Sequence, residues 1–175
     1  MNFSESDFRH STDASVCMLS PWETDGGVSW YCEQLVEKLE GEGENVDVLK
    51  MEKRNDMPPS RFYALGKTLS ERYDLLHFQY TPGWFGSIGG YFWGSYLPLL
   101  DMGFDGPTVL TMHEYDIEER NRFIEGIQLV KNMAVANVSE RVIVHSSRAR
   151  KSLQSRIFFS TIEELFFPVD NEAEI

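Results

Sequence analysis

The sequence predicts an α/β domain built on an open, doubly wound parallel sheet with helices on both faces. Short apolar runs suited to buried strands alternate with longer segments whose apolar residues recur every three or four positions. Strands separated by helices pair in parallel through right-handed crossovers, and these place the helices against the sheet. The length of 175 residues suits one domain with one substantial core.

Residues 1–14 form a polar leader without an apolar signal-like stretch, 15–170 the domain, and 171–175 an acidic tail. Residues 15–19 (SVCML) read as a buried strand closed by Ser20 and Pro21, and the loop PWETDGG follows. Beyond it Val28, Tyr31, Cys32, Leu35, Val36 and Leu39 share one helical face, and Gly41 and Gly43 stop that helix. Residues 45–49 form a second strand, Pro58-Pro59 a loop, 61–72 a helix, and 74–78 (DLLHF) a third strand. The aromatic, glycine-rich stretch TPGWFGSIGGYFWGSYLPLL comes next, helical in its latter part, before a strand at 107–112. Phe123, Ile127, Val130, Ala134 and Val138 mark a helix over 120–138, which feeds a strand at 141–144. Ser146 or Ser147 is placed to cap a helix over 148–156, and a last apolar run at 162–167 ends at Pro168. No internal repeat is visible.

Composition narrows the function classes. Hydrophobic residues make up 42% and aromatics 13%, a globular profile. The 28 acidic against 16 basic residues give a formal charge of -12, which repels nucleic acid and anionic lipid head groups. That charge fits a high-salt cytoplasm and ordinary solubility equally well. Cys17 and Cys32 make neither a disulfide framework nor a zinc set, so a reducing, cytoplasmic location is expected. No run reaches the ~18 apolar residues of a membrane span. Serine-elbow, Walker, HExxH and CxxC patterns are all missing from the sequence.

In doubly wound sheets ligands bind beyond the carboxyl ends of the strands, so the loops there hold the candidate residues. Gly26-Gly27 runs directly into a helix, whose N-terminal N–H groups can approach a phosphate; an ordinary tight turn is the competing reading. A conventional dinucleotide site is disfavoured, because GxGxxG is missing and Lys50 stands where a ribose-binding acid would be. Period-two alternation sends His77 and Gln79 to one side of the third strand, as a ligand-facing pair or with His77 as a satisfied core histidine. Trp84 and Phe85 offer a sugar-stacking wall or core packing. His113, at the end of the fourth strand, is the foremost candidate for touching a substrate hydroxyl or phosphate. His145-Ser146 reads as a helix cap.

Five stretches taken in order resemble the N-terminal, Rossmann-like domain of family-four GT-B glycosyltransferases. They are VCMLSPWETDGGVSWYCEQLVEKLE, YDLLHFQY, GPTVLTMHEYD, RVIVHSSRARKSL and LFFPVD, together spanning roughly residues 15–170. The resemblance implies transfer of a sugar from a nucleotide-sugar donor to a glycan or lipid-linked acceptor, with retention and with neither metal nor cofactor. Carried over, Gly26 and Gly27 approach the donor diphosphate, His113 is the catalytic-site residue against the donor sugar, and His77, Gln79 and Trp84 lie near the acceptor. Glu114 departs from the aspartate common after that histidine. The family's C-terminal domain, with most of the nucleotide pocket, has no counterpart before Ile175, so the resemblance implies a fragment, one subunit of a split enzyme whose partner is a separate C-terminal-domain subunit, or a relic. A lipid-linked acceptor would bring a cytoplasmic enzyme to the membrane periphery. A non-catalytic Rossmann-like binding or assembly module, using residues 84–100 as an interface, is the alternative, and an unrelated α/β nucleotide-binding protein a third.

Overall fold

The computed structural model describes residues 8–9, 15–51, 58–81, 84–86, 95–113, 122–155 and 160–165. A two-residue strand, Phe8–Arg9 (β1), lies within the segment expected to be a leader outside the domain. The first central strand is Val16–Ser20 (β2). The chain continues through Gly27–Gly41 (α1), Val46–Lys50 (β3), Pro59–Ser70 (α2) and Leu75–Tyr80 (β4). Leu97–Gly103 (α3), Thr108–Met112 (β5), Arg122–Ala136 (α4), Arg141–Val144 (β6), Ser147–Gln154 (α5) and Thr161–Glu164 (β7) complete it.

The strands form one seven-stranded sheet in the order β1-β3-β2-β4-β5-β6-β7. Six are parallel, as the alternation of strands and helices requires, while β1 adds antiparallel to β3 at the edge, with Phe8 opposite Leu49. The order reverses between β2 and β4, which makes their carboxyl ends the switch point of the sheet.

The helices are divided unequally between the faces. From β3 to β7 the chain steps across the sheet in one direction, and right-handed crossovers put every helix on that path on the same side. Accordingly Phe62, Leu65, Leu69, Leu97, Leu100, Val135, Ala136, Ala149 and Leu153 from α2 to α5 join Cys17, Leu19, Leu76, Phe78, Leu110 and Val142 in one core cluster. Only α1 among the described helices lies on the other face, where Tyr31, Cys32 and Val36 pack on Met18, Val46 and Val48.

Local sequence explains the element ends. Pro59 starts α2 because a first-turn N–H has no helical partner to lose. Gly41 remains inside α1, and Gly43, at φ 90°, makes the turn that follows. Ser146 caps α5, its side chain accepting from the Ala149 N–H at 3.1 Å. α2 and α3 touch through Gly66 and Gly103, where a Cβ on Gly66 would lie 2.1 Å from the Leu100 carbonyl oxygen.

Candidate functional site

Strand alternation and register together decide which side chains meet beside α1. Met18 is level with His77, His77 with Val109, Gln79 with Thr111, and Thr111 with Ile143, so these residues share the face that α1 occupies. One step beyond the last pairs, His113 and His145 emerge side by side at the ends of β5 and β6.

The loop before α1 is shaped by its glycines. Gly26 has φ 154° and ψ 155°, a backbone region open only to glycine, and a Cβ on Gly26 or Gly27 would meet nothing within 4 Å. Its carbonyl accepts from the Trp30 N–H at 3.2 Å, and the Ser29 hydroxyl accepts from the Thr24 N–H at 3.1 Å. Glu23, at φ 54°, reaches Lys50 Nζ at 2.5 Å across the ends of β2 and β3. Lys50, standing where a ribose-binding acid would be, is thus a cation held by the loop itself.

Tyr31 stands one helical turn beyond Gly27 and brings that loop to the histidines. Its ring centroid is 5.0 Å from those of both His113 and His145, edge-on to each, and the two imidazoles are 5.1 Å apart. Beneath them His113 Nε2 lies 2.8 Å from Gln79 Oε1, Gln79 Nε2 3.2 Å from His77 Nε2, and His77 Nε2 2.8 Å from Thr111 Oγ1. His145 Nδ1 donates to the Leu165 carbonyl at 2.9 Å.

Burial sets the charge state of this group. Desolvation lowers His77 to about 4. It also lowers His113, to about 3, with His145 and His77 adding to the shift. His145 is lowered too, mainly by desolvation, against the opposing bond to Leu165. Tyr31 is pushed up to about 12 by its burial. Near pH 7 the three imidazoles are therefore neutral and the phenol protonated. Such groups can orient a polar ligand through hydrogen bonds without contributing charge.

The structure links α1, the helix that Gly26 and Gly27 introduce, to His113 through the Tyr31 ring, and it sets His77 and Gln79 behind His113. Gln79 is fully buried and His77 nearly so, both spent on internal hydrogen bonds rather than open to a ligand. Trp84 goes elsewhere: it packs against the cluster on the opposite face, which holds Phe78, Tyr80 and Phe85. Sequence patterning points only to core, strand and cap for Tyr31, Thr111 and His145; the signal for His145 is its position, matching that of His113 at the end of the adjacent strand. Glu114 lies outside the described residues. Among the described residues no cluster suited to a metal ion occurs, and no helix is long and apolar enough to cross a membrane.

No protein-family model matches the sequence, and no curated protein matches it. Among solved structures, sucrose-phosphate synthase from Thermosynechococcus elongatus aligns with 87% of this chain and 48% of its own, at TM-score 0.53 and 14% identity. A second structure of that enzyme, designated by the bounds 27–220 and 406–426, aligns with 89% of this chain and 90% of its own, at TM-score 0.52 and 14% identity. The chain thus spans about half the length of the first of these. The likeness is one of fold: this protein has a Rossmann-like, doubly wound α/β fold matching part of a GT-B glycosyltransferase.

Proposed function

We propose that this domain is the acceptor-side half of a family-four-like, retaining glycosyltransferase, completed by a donor-binding domain on a separate subunit or a longer polypeptide. The observation that supports the reading is the Tyr31 contact with His113, which links the helix after an open glycine loop at the switch point to a neutral histidine at the end of β5, the strand next to β4. The N–H groups at the start of α1 would face the donor diphosphate, aided by the positive helix end. His113 would hold the donor sugar.

In a front-face reaction the anomeric C–O bond to the diphosphate breaks as the acceptor oxygen attacks from the same side. The acceptor proton passes to the departing phosphate oxygen, so no protein base is required. Stabilisation of the developing charge falls to the helix end and to donors from the opposite domain. The neutral state of His113 suits orienting a sugar rather than neutralising the diphosphate.

Calorimetric titration of the chain with UDP, GDP and their sugar conjugates, with and without a candidate donor-binding subunit, tests the reading. Binding and turnover that require the second subunit are expected. Failure to bind any of these ligands in either setting would instead favour a non-catalytic module.

A further inference from the structure

At the amino ends of the strands two carboxylates converge on one buried threonine. Thr108 opens β5, Asp101 belongs to α3, and Glu140 stands in the turn between α4 and β6. The Thr108 hydroxyl oxygen lies 2.7 Å from Asp101 Oδ1 and 3.2 Å from Glu140 Oε2. The Thr108 N–H donates to that same Glu140 oxygen at 2.6 Å, and the Glu140 carbonyl accepts from the Thr161 N–H, at the start of β7, at 2.9 Å. A hydroxyl has one hydrogen. With both carboxylates ionised it donates to the nearer, Asp101, and turns a lone pair toward Glu140, so two like charges face each other across it.

One added proton removes the conflict. A protonated Asp101 donates to the Thr108 oxygen, and the Thr108 hydroxyl is released to donate to Glu140, so each oxygen–oxygen contact holds one hydrogen. The bridging proton belongs on Asp101 because that carboxyl is partly buried whereas Glu140 is exposed, and because Glu140 Oε2 already holds the Thr108 N–H hydrogen. We propose that Asp101, Thr108 and Glu140 form a proton-operated latch, in which protonation of Asp101 reverses the Thr108 hydroxyl and ties α3 through β5 to the turn between α4 and β6. Desolvation raises Asp101 to about 6, with the Thr108 bond opposing and the Glu140 charge adding. On the neighbouring elements Lys67 of α2 pairs with Asp105 at 2.9 Å, Arg141 of β6 pairs with Glu163, and Lys131 is buried on α4. Among the described residues only Glu140 acts on the Asp101 charge. Since the folded value lies above the ordinary 3.8, the stabilisation is complete below 3.8 and is lost as pH rises through about 6. The latch sits at the opposite ends of β5 and β6 from His113 and His145, and it stands apart from the proposed glycosyl transfer.

Carboxyl 13C titration of the full chain and urea unfolding of variants test the latch. In the wild type the Asp101 carboxyl is expected to titrate at about 6, and the Thr108 amide signal to move with the same midpoint. Asp101→Asn mimics the closed state at every pH, its NH2 donating to the Thr108 oxygen. It should raise the folding constant at pH 7.5, and that gain should shrink about tenfold by pH 5, where the wild-type latch closes of itself. In a Thr108→Val background the gain should disappear, because the bridging hydroxyl is gone. An Asp101 midpoint at the ordinary 3.8 would overturn the proposal, as would a gain independent of pH or equal gains in the threonine and valine backgrounds. Should Thr108→Val fail to fold, the wild-type titration and the Asp101→Asn series decide.

Discussion

The ring of Tyr31 stands edge-on to His113 at 5.0 Å and lies equally close to His145, so one helical side chain roofs two strand ends at once. This contact ties the N-terminal part of α1 to the ends of β5 and β6. Tyr31→Leu is expected to destabilise the protein by about 1–3 kcal/mol, through lost packing and edge contacts. It should also raise the His113 pKa, since desolvation is the leading cause of its depression. Urea denaturation and histidine NMR titration measure the two effects.

The histidines make stability depend on acid. Folded His77 titrates at about 4 against an unfolded value of 6.5, so below pH 6.5 the unfolded chain binds more protons. Stability is then complete above pH 6.5 and is lost as pH falls toward 4, by about 3 kcal/mol for His77 alone. His113 acts in the same direction, down to about 3. Asp101 opposes them: desolvation raises it to about 6, so its protonation favours the folded state as pH falls below 6. Urea midpoints between pH 4 and 7.5 should fall on acidification, and His77→Gln should flatten that fall.

α2 and α3 approach so closely that backbone occupies the space of a missing side chain. A Cβ on Gly66 would lie 2.1 Å from the Leu100 oxygen, and one on Gly103 2.3 Å from the Tyr63 oxygen. Either glycine-to-alanine change should cost about 3 kcal/mol or more, read from thermal or urea unfolding. A wild-type midpoint in both variants would contradict this packing.

At the loop the opposite holds, because a Cβ on Gly27 meets nothing within 4 Å. Gly27→Val should change stability by less than about 1 kcal/mol while impairing donor use in the completed two-domain enzyme. His113→Ala should abolish transfer there and leave the fold largely intact. Undiminished turnover in either variant would contradict the role proposed for that residue.

Before β4, Tyr73 donates to the buried carboxylate of Asp47 on β3 at 2.6 Å. Tyr73→Phe removes that charge-assisted bond without changing shape and should cost about 1–3 kcal/mol in urea denaturation.

Much of the architecture is legible in the chain. The runs at 15–19, 45–49 and 74–78 match β2, β3 and β4 within one or two residues, because buried parallel strands must be apolar and must end where glycine, proline or polar residues let a loop begin. The face of α1 follows from its three-and-four spacing, and the pairing of His77 with Gln79 from the two-residue period of a strand. The edge strand at Phe8–Arg9 is not legible in this way because two residues carry no period; only the free edge of β3 recruits them.

Sequence by itself therefore determined the fold class, the order of its elements and the strand ends at which polar residues would gather. Tertiary structure decided which of those residues meet. Register set His113 level with His145, the crossover hand left α1 the one described helix on their face, and strand alternation sent Phe78 and Tyr80 to the face opposite Gln79. These outcomes depend on pairing between strands 30 or more residues apart. Local propensity is blind to such contacts, because one residue's choice of face is settled only when another strand supplies its partner.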